Sequence, residues 1–414
     1  MNDALAVLRD PATIRLRSAA ITQAVADGRS GWFRLDRSRL DEVAERVATL
    51  THERFPDGRI PFHSRWRHFE AGGVNRRALL DERLGRATPA ERARAYFDVA
   101  VVSVLLDAGA GGAWRFREGE GDEAASFTRS EGLGVASFRG FLAGAFAFES
   151  AEPLRADAAA LRRLDARSLA ELFQVTADNP MVGLEGRAAL LGRLGTVLMA
   201  ESGRSGHESR PGLMFDLLTA GGRSEVTAAE ILGVLLRVMA PIWTSGSVVA
   251  GQRAGDVWPH RFAGSAAPGG VVDPRTPGWV PFHKLSQWLA YSLIEPLQWC
   301  GVQVRGLDAL TGLPEYRNGG LLLDAGVLLA RNPRDLMRRW KPADEFIVEW
   351  RALTVTLLDE VAERVRARLG LSAEELPLAC VLEGGSWAAG RQIARERRAD
   401  GAPPVDIDSD GTIF

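Results

Sequence analysis

Lysine is almost missing from this chain: Lys284 and Lys341 are the only two in 414 residues, so nearly all of the 51 basic side chains are arginines. Cysteine is as scarce, with Cys300 and Cys380 alone, and two thiols cannot build a disulfide framework or a four-thiolate zinc site. The N-terminus Met1-Asn2-Asp3 has none of the basic and apolar regions of a signal peptide, so the expectation is a soluble cytoplasmic protein in a reducing compartment. Long apolar runs are lacking too. The stretch from Val226 to Ile242 is interrupted by Glu230 and Arg237 and falls short of the roughly 18 apolar residues of a membrane helix. Neither sign of charge dominates: 51 basic residues against 53 acidic ones leave a formal charge of -2, and no general field draws the chain to nucleic acid or anionic lipid. The arginine bias reflects a GC-rich genome as readily as any demand for guanidinium chemistry.

With 46% hydrophobic side chains the chain can bury a large core, and its length suggests more than one sub-structure. The boundary expected near 150–155 separates an N-terminal helical region, 1–152, from a C-terminal helical catalytic region, 153–414, which together can also form one continuous unit. Helix starts are written into Thr88-Pro89-Ala90-Glu91 and Thr227-Ala228-Ala229-Glu230, where a capping hydroxyl precedes a glutamate by three residues. Ser38-Arg39-Leu40-Asp41 reads the same way, for a helix ending near Phe55. Further helical periodicity lies at 11–28, 158–174, 181–200, 284–299, 343–369 and 386–398. Extended segments are expected only at Val302–Arg305 and Pro404–Asp408, with an Asp410-Gly411 turn returning the chain to Ile413-Phe414. Loops fall at 109–113, 201–212, 245–256 and 262–278, the last long enough to be an active-site lid or a merely mobile excursion. The fold class is mainly α, a multi-helix globular fold with a minor β element.

Candidate chemistry sits where rare residue types crowd together. His63-Ser64-Arg65-Trp66-Arg67-His68-Phe69 packs two histidines, two arginines and two aromatics into seven residues, a density suited to an anion or sugar phosphate. The same residues can also be an Arg/Trp stack over a helix end. His63 and His68 are five apart, which is not the spacing of helical metal ligands. Asp107 opens the glycine-rich turn 107–114, which lacks the lysine of a phosphate loop; it is an acid of the site or a simple helix-end residue. Arg129, Ser130 and Glu131 precede an apolar run, where capping is the more frequent use of residues such as Ser130 and Thr128, and Asn179-Pro180 has a bland reading as an Asx turn. Downstream, Lys284, Trp288, Tyr291 and Glu295 fall at i, i+4, i+7 and i+11 on one helical stripe that also carries His283 and Gln287 nearby. Finally, Glu315, Tyr316, Arg317 and Asn318 occupy a turn pinned by Pro314 and Gly319, and Asp324 interrupts the apolar run beyond it, as a cap or as part of a site.

The motifs HSRWRHFEAGG (63–73), RSEGL (129–133), FHKLSQWLAYSLIEPL (282–297) and LTGLPEYRNGGLLLDAGVL (310–328) resemble those of the uracil catabolism protein 4 family over essentially the full chain. That resemblance implies a place in a pyrimidine-degrading route in which uracil becomes its nucleotide, the ring is opened and urea is released. A more distant likeness, confined to the C-terminal half, joins Lys284-Leu285-Ser286-Gln287 and Glu315-Tyr316-Arg317 to the queuosine nucleosidases, helical N-glycosidases of the DNA-glycosylase type. It implies ribosyl C–N cleavage. This sequence departs from that pattern at the first catalytic acid, which falls near Ser292, and Glu295 is the nearest carboxylate on that side.

The expectation is therefore an N-glycosidase that hydrolyses a ribosylurea-like compound without metal or cofactor, with a small ribosyl substrate as its partner. Glu315, Glu295 and Asp107 are the candidate catalytic acids. Arg65, Arg67, Arg129 and Arg317 are candidates for a 5-phosphate, and Trp66, Trp288 and Tyr316 for the pocket walls. His63, His68, Glu131, His283, Lys284, Gln287, Asn318 and Asp324 complete the candidate binding residues. Two other classes remain open: a metal-dependent amidohydrolase using His63, His68, His260 or His283, and a non-catalytic scaffold with a broad exposed apolar surface.

Overall fold

The computed structural model describes residues 4–107, 109–119, 121, 124–148, 154–244, 246–264 and 275–408. Helices dominate and every strand among the described residues belongs to a two-stranded pair. The elements that frame the site, in chain order, are α1 (Pro11–Ala26), α2 (Leu40–Arg54), α3 (Arg65–Phe69), α4 (Pro89–Leu105), α5 (Arg129–Leu142), α6 (Leu184–Ser205), α7 (Ala228–Met239), α8 (Lys284–Trp299), α9 (Tyr316–Asp324), α10 (Glu345–Leu369) and α11 (Trp387–Arg397). The main cluster of buried apolar residues runs from Ile14 to Val405 and draws on both sides of the expected boundary at 150–155. Residues 149–153 at that boundary lie outside the described residues. No described helix is long and apolar enough to cross a membrane.

Local sequence explains several starts. At α7 both halves of a capping box form, with Thr227 Oγ1 accepting from the Glu230 N–H and the Glu230 carboxylate accepting from the Thr227 N–H. Thr88 caps α4 in the same way, but the Glu91 carboxylate turns instead to Arg94 and Arg210. Ser38 does not cap: Asp36 accepts the Ser38 N–H at the head of a 3-10 turn, and α2 begins at Leu40. The expected helix over 158–174 is two helices, Ala158–Arg163 and Ala166–Leu172, because Asp165 starts a new one by accepting the Ser168 N–H. α6 continues to Ser205, into a stretch expected to be loop, and stops at Gly206 in the left-handed region (φ 76°).

Both expected strands form, as partners of segments that local pattern did not reveal. Gln303–Arg305 pairs in parallel with Glu225–Thr227, and Asp406–Ile407 with Arg339–Trp340. The expected loop 245–256 contains an antiparallel hairpin, Ser247–Val249 with Gln252–Gly255. The Asp410-Gly411 turn and most of the expected lid, 265–274, lie outside the described residues.

α10 is the spine, buried along most of its length between α1 and α2. Its Arg351 is buried with Asp256, two hydrogen bonds of 2.7 and 2.8 Å joining guanidinium to carboxylate. Asp256 also accepts the N–H of Lys284 at 2.9 Å, and Arg351 Nε donates to the Pro314 carbonyl at 3.2 Å. One guanidinium thereby ties down both the start of α8 and the turn that opens α9. Burial works to raise the pKa of Asp256, but Arg351, the Lys284 N–H and the Trp258 indole outweigh it and hold it below the ordinary carboxylate value. Because that pKa is depressed in the fold, the pair stabilises above the ordinary carboxylate pKa of about 3.9 and is lost as pH falls through the folded value. Asp256→Ala, which strands a buried arginine, is expected to lower the unfolding free energy by about 3–5 kcal/mol in urea titrations at neutral pH. The deficit should shrink on acidification below about pH 4; an unchanged midpoint at neutral pH would remove the pair from this role.

Candidate active site

The N-terminal ends of α5, α8 and α9 face one cavity of about 560 Å³, and α11 passes along its wall. The partly positive helix ends favour an anion there. Arg129 and Ser130 line it from α5, Lys284 and Trp288 from α8, Glu315, Tyr316 and Arg317 from the start of α9, and Trp387 from α11. The turn at 109–112 and the segment 400–403 close further sides. Arg129 (54°), which lines the cavity, and His283 (48°), buried immediately before Lys284, carry positive φ without being glycine. Such backbone costs on the order of 1–3 kcal/mol and persists where the surroundings impose it. At Gly390 an added methyl would collide with the Arg317 carbonyl, so α11 can cross the start of α9 only with glycine there.

Among the described residues, three cations at this cavity lack the acid partner that several buried arginines elsewhere have. Several buried arginines elsewhere meet acids: Arg210 meets Asp98, Arg76 meets Glu118 and Arg351 meets Asp256. By contrast Lys284, Arg129 and Arg317 have no ion pair within 4.0 Å among the described residues. Arg317 is buried, gives Nη1 to the Gly401 carbonyl at 3.1 Å and leaves Nε without a partner among the described residues. Burial lowers the pKa of Lys284, against the opposing pull of Glu315 and Asp107. Cations held without a matching acid around an open volume are receptive to an anion, and a guanidinium fork suits phosphate oxygens.

The two acids at the cavity are held differently. Glu315 is the N-cap of α9, its carboxylate accepting the N–H groups of Arg317 (2.7 Å) and Asn318 (2.6 Å). Burial raises its pKa despite those bonds and Lys284. Asp107 lies 2.9 Å from Arg65 Nη1 through Oδ1, an ion contact with the buried guanidinium. It is the carboxylate with spare lone pairs.

Arg65 is entirely buried and holds the local framework: Nε donates to Ser103 Oγ at 2.6 Å, and Nη1 approaches His68 Nδ1 at 3.0 Å. A guanidinium can only donate, so His68 accepts at Nδ1 and carries its proton on Nε2. Burial, then Arg65 and His63, depress the His68 pKa well below the ordinary value, keeping the ring neutral. The other histidine, His63, is bonded through Nδ1 to Glu383 Oε2 at 2.8 Å.

Of the expected site residues, the cavity therefore gathers His63, His68, Asp107, Arg129, Lys284, Trp288, Glu315, Tyr316 and Arg317. Glu295 is not among them. Eleven residues of helix separate it from Lys284 by roughly 16 Å of rise, and its carboxylate is taken by Ser64 Oγ (2.8 Å) and Arg67 Nη2 (2.7 Å). The expected convergence of Glu295 with Glu315 does not form, and Arg67 is spent on Glu295 and Glu70. Trp66 is core, edge-on to Trp299 and Tyr96. Gln287 bonds Thr311, His283 the Leu8 carbonyl, and Asn318 both the Leu313 carbonyl and Ser386. Asp324 pairs with Arg398, and Glu131 lies 3.5 Å from Arg391. Pattern reading missed Glu383, Trp387 and the segment 400–403. The rare cluster Glu383-Gly384-Gly385-Ser386-Trp387 beside the expected helix at 386 was the available signal.

Fold and site together define a mainly α protein with a cation-rich, carboxylate-bearing cavity. The chain belongs to the family described as "Protein of unknown function (DUF1688)", whose profile matches residues 7–414. It is 38% identical over 408 residues to "Protein urg3" of Schizosaccharomyces pombe, covering 97% of this chain and 96% of that protein. It is also 35% identical over 416 residues to "Uracil catabolism protein 4" of Lachancea kluyveri, covering 94% and 93% respectively.

A charge-assisted hydrogen bond is worth about 1.5–3 kcal/mol, so Arg317→Met and Lys284→Met should each weaken binding of inorganic phosphate by about 10- to 100-fold in calorimetric titration. Since the ammonium is the binding form and its pKa is lowered, the alkaline loss of affinity should begin below the ordinary lysine value of about 10.4 and be absent in Lys284→Met. Equal affinity in all three proteins would deny the cations this task.

Proposed function

We propose that this protein acts in uracil degradation as an N-ribosyl hydrolase, cleaving the C–N bond between ribose and a ring-opened, ribosylurea-like base to release urea. The name of the Lachancea kluyveri relative supports the pathway. The observation that carries the reaction is the meeting of unpaired Lys284, Arg129 and Arg317 with Asp107 and Glu315 around one cavity. A phosphorylated ribosyl compound matches that inventory: cations for the phosphate, carboxylates for the cation-like sugar, aromatic walls for the rest.

In this reading the phosphate lies against Lys284, Arg317 and Arg129. C1′–N cleavage passes through an oxocarbenium-like state that a nearby carboxylate stabilises. Asp107, with its free lone pairs, faces that charge and takes the proton of the attacking water, whose oxygen bonds to C1′. Glu315, fixed by two N–H groups, adds negative charge and keeps Arg317 in place. Trp288, Tyr316 and Trp387 wall the cavity around the substrate. The amidohydrolase alternative draws less from the geometry, because His260 is bonded to Glu349 (3.2 Å) and His283 to Leu8 (2.9 Å), so the four histidines do not meet.

Incubated with ribosylurea or its 5-phosphate, the purified protein should yield urea and the free sugar by mass spectrometry, with the phosphorylated compound preferred. Asp107→Asn should lower kcat by about 10²- to 10⁴-fold while KM moves only a few-fold. Intact substrate with the wild type, or equal turnover by the variant, would end the proposal.

A further inference from the structure

Departure of urea from C1′ requires a proton at the leaving nitrogen, and neither Asp107, placed as the base, nor neutral His68 supplies one. The described residues hold one further titratable pair at the cavity, on an element that the sequence pattern left unread. His63 lines the cavity, and its Nδ1 meets Glu383 Oε2 at 2.8 Å while Nε2 makes no hydrogen bond among the described residues. Glu383 is held in turn by Arg54 Nη2 at 3.0 Å. Burial alone would raise the pKa of Glu383, but His63 and Arg54 outweigh it and keep it low, so it is a carboxylate at neutral pH.

The backbone is arranged for this contact. Glu383 sits in a π-helical turn over Leu382–Ser386, a widened turn frequent at functional sites. The bulge is pressed onto α2: an added methyl at Gly385 would collide with the Val47 carbonyl, and one at Gly384 with Thr51. His63 is fixed from the other side, its N–H bonded to the Ala379 carbonyl at 3.0 Å. The buried Ser30–Glu349–His260 group differs: Glu349 holds one His260 nitrogen and the Phe262 N–H the other, leaving no ring atom for a ligand.

We infer that His63, oriented by Glu383, is the general acid that protonates the departing nitrogen. The inference rests on the ribosyl hydrolase reading. The carboxylate at Nδ1 balances the charge of the imidazolium and turns Nε2–H to the cavity, as an acid oriented by a second group requires. As C1′–N breaks, its electron pair stays on nitrogen and takes the Nε2 proton. Water oxygen bonds to C1′ and gives its proton to Asp107, and transfer of that proton back to His63 through solvent restores the start. Arg65 and Glu383 thus set two histidines at one cavity in opposite tautomeric roles, His68 offering a fixed N–H and His63 a transferable proton.

The test compares two substrates, ribosylurea 5-phosphate and p-nitrophenyl β-riboside, whose phenolate leaves without a proton. His63→Gln should lower kcat on the urea compound by about 10²- to 10⁴-fold and leave p-nitrophenyl cleavage within a few-fold of wild type. Glu383→Gln should give a smaller loss with the same selectivity, and p-nitrophenyl turnover reports that each variant is folded. Wild-type protein that cleaves neither substrate overturns the hydrolase reading and this inference with it. Wild-type turnover with His63→Gln unimpaired, or impaired equally on both substrates, overturns the inference alone.

Discussion

The Arg351 guanidinium is the point on which the site depends. From the buried spine α10 it grips Asp256, whose carboxylate also caps Lys284, and it reaches the Pro314 carbonyl one residue before Glu315. A buried ion pair is weak evidence for net stability, since desolvation offsets much of the Coulombic gain. What it secures here is placement: the only cation of α8 at the cavity and the carboxylate of α9 are referred to a single planar group, and neither can drift without breaking a bond that has no water to replace it.

A contrast in charge pairing follows from that rigidity. Arg210, Arg76 and Arg351 are buried against acids, yet at one cavity buried Arg317, half-buried Lys284 and exposed Arg129 have no ion pair within 4.0 Å among the described residues. Burying unpaired charge is costly, and the lowered Lys284 pKa is the sign of that cost. Positive φ at Arg129, and at His283 beside Lys284, adds a backbone cost in the same region.

Much of the frame was legible in the residues. Capping at Thr88 and Thr227, periodicity over 11–28, 284–299 and 343–369, and scarce strand signals gave a mainly α architecture that the structure bears out. The clusters at 63–68, 129–131, 284–288 and 315–317 stand out as rare residue types against an Ala/Leu/Arg background, and each contributes to the cavity. The pairing of Glu295 with Glu315 was not sound. Helical phase places two residues on one stripe, but it says nothing about the distance along the axis or about which neighbour claims the carboxylate, and Ser64 and Arg67 claimed it.

Sequence alone determined the secondary structure class and the chemical inventory, because caps, periodicity and side-chain type are local properties. Only the tertiary structure decided which of those groups are free to act. Whether an arginine is a binding group or a spent one depends on an acid far away in the chain, as with Arg65 and Asp107 or Arg351 and Asp256. Likewise Glu383 reaches His63 across 320 residues, through a widened helical turn that no local pattern announces, since it exists only because two glycines let it press against α2.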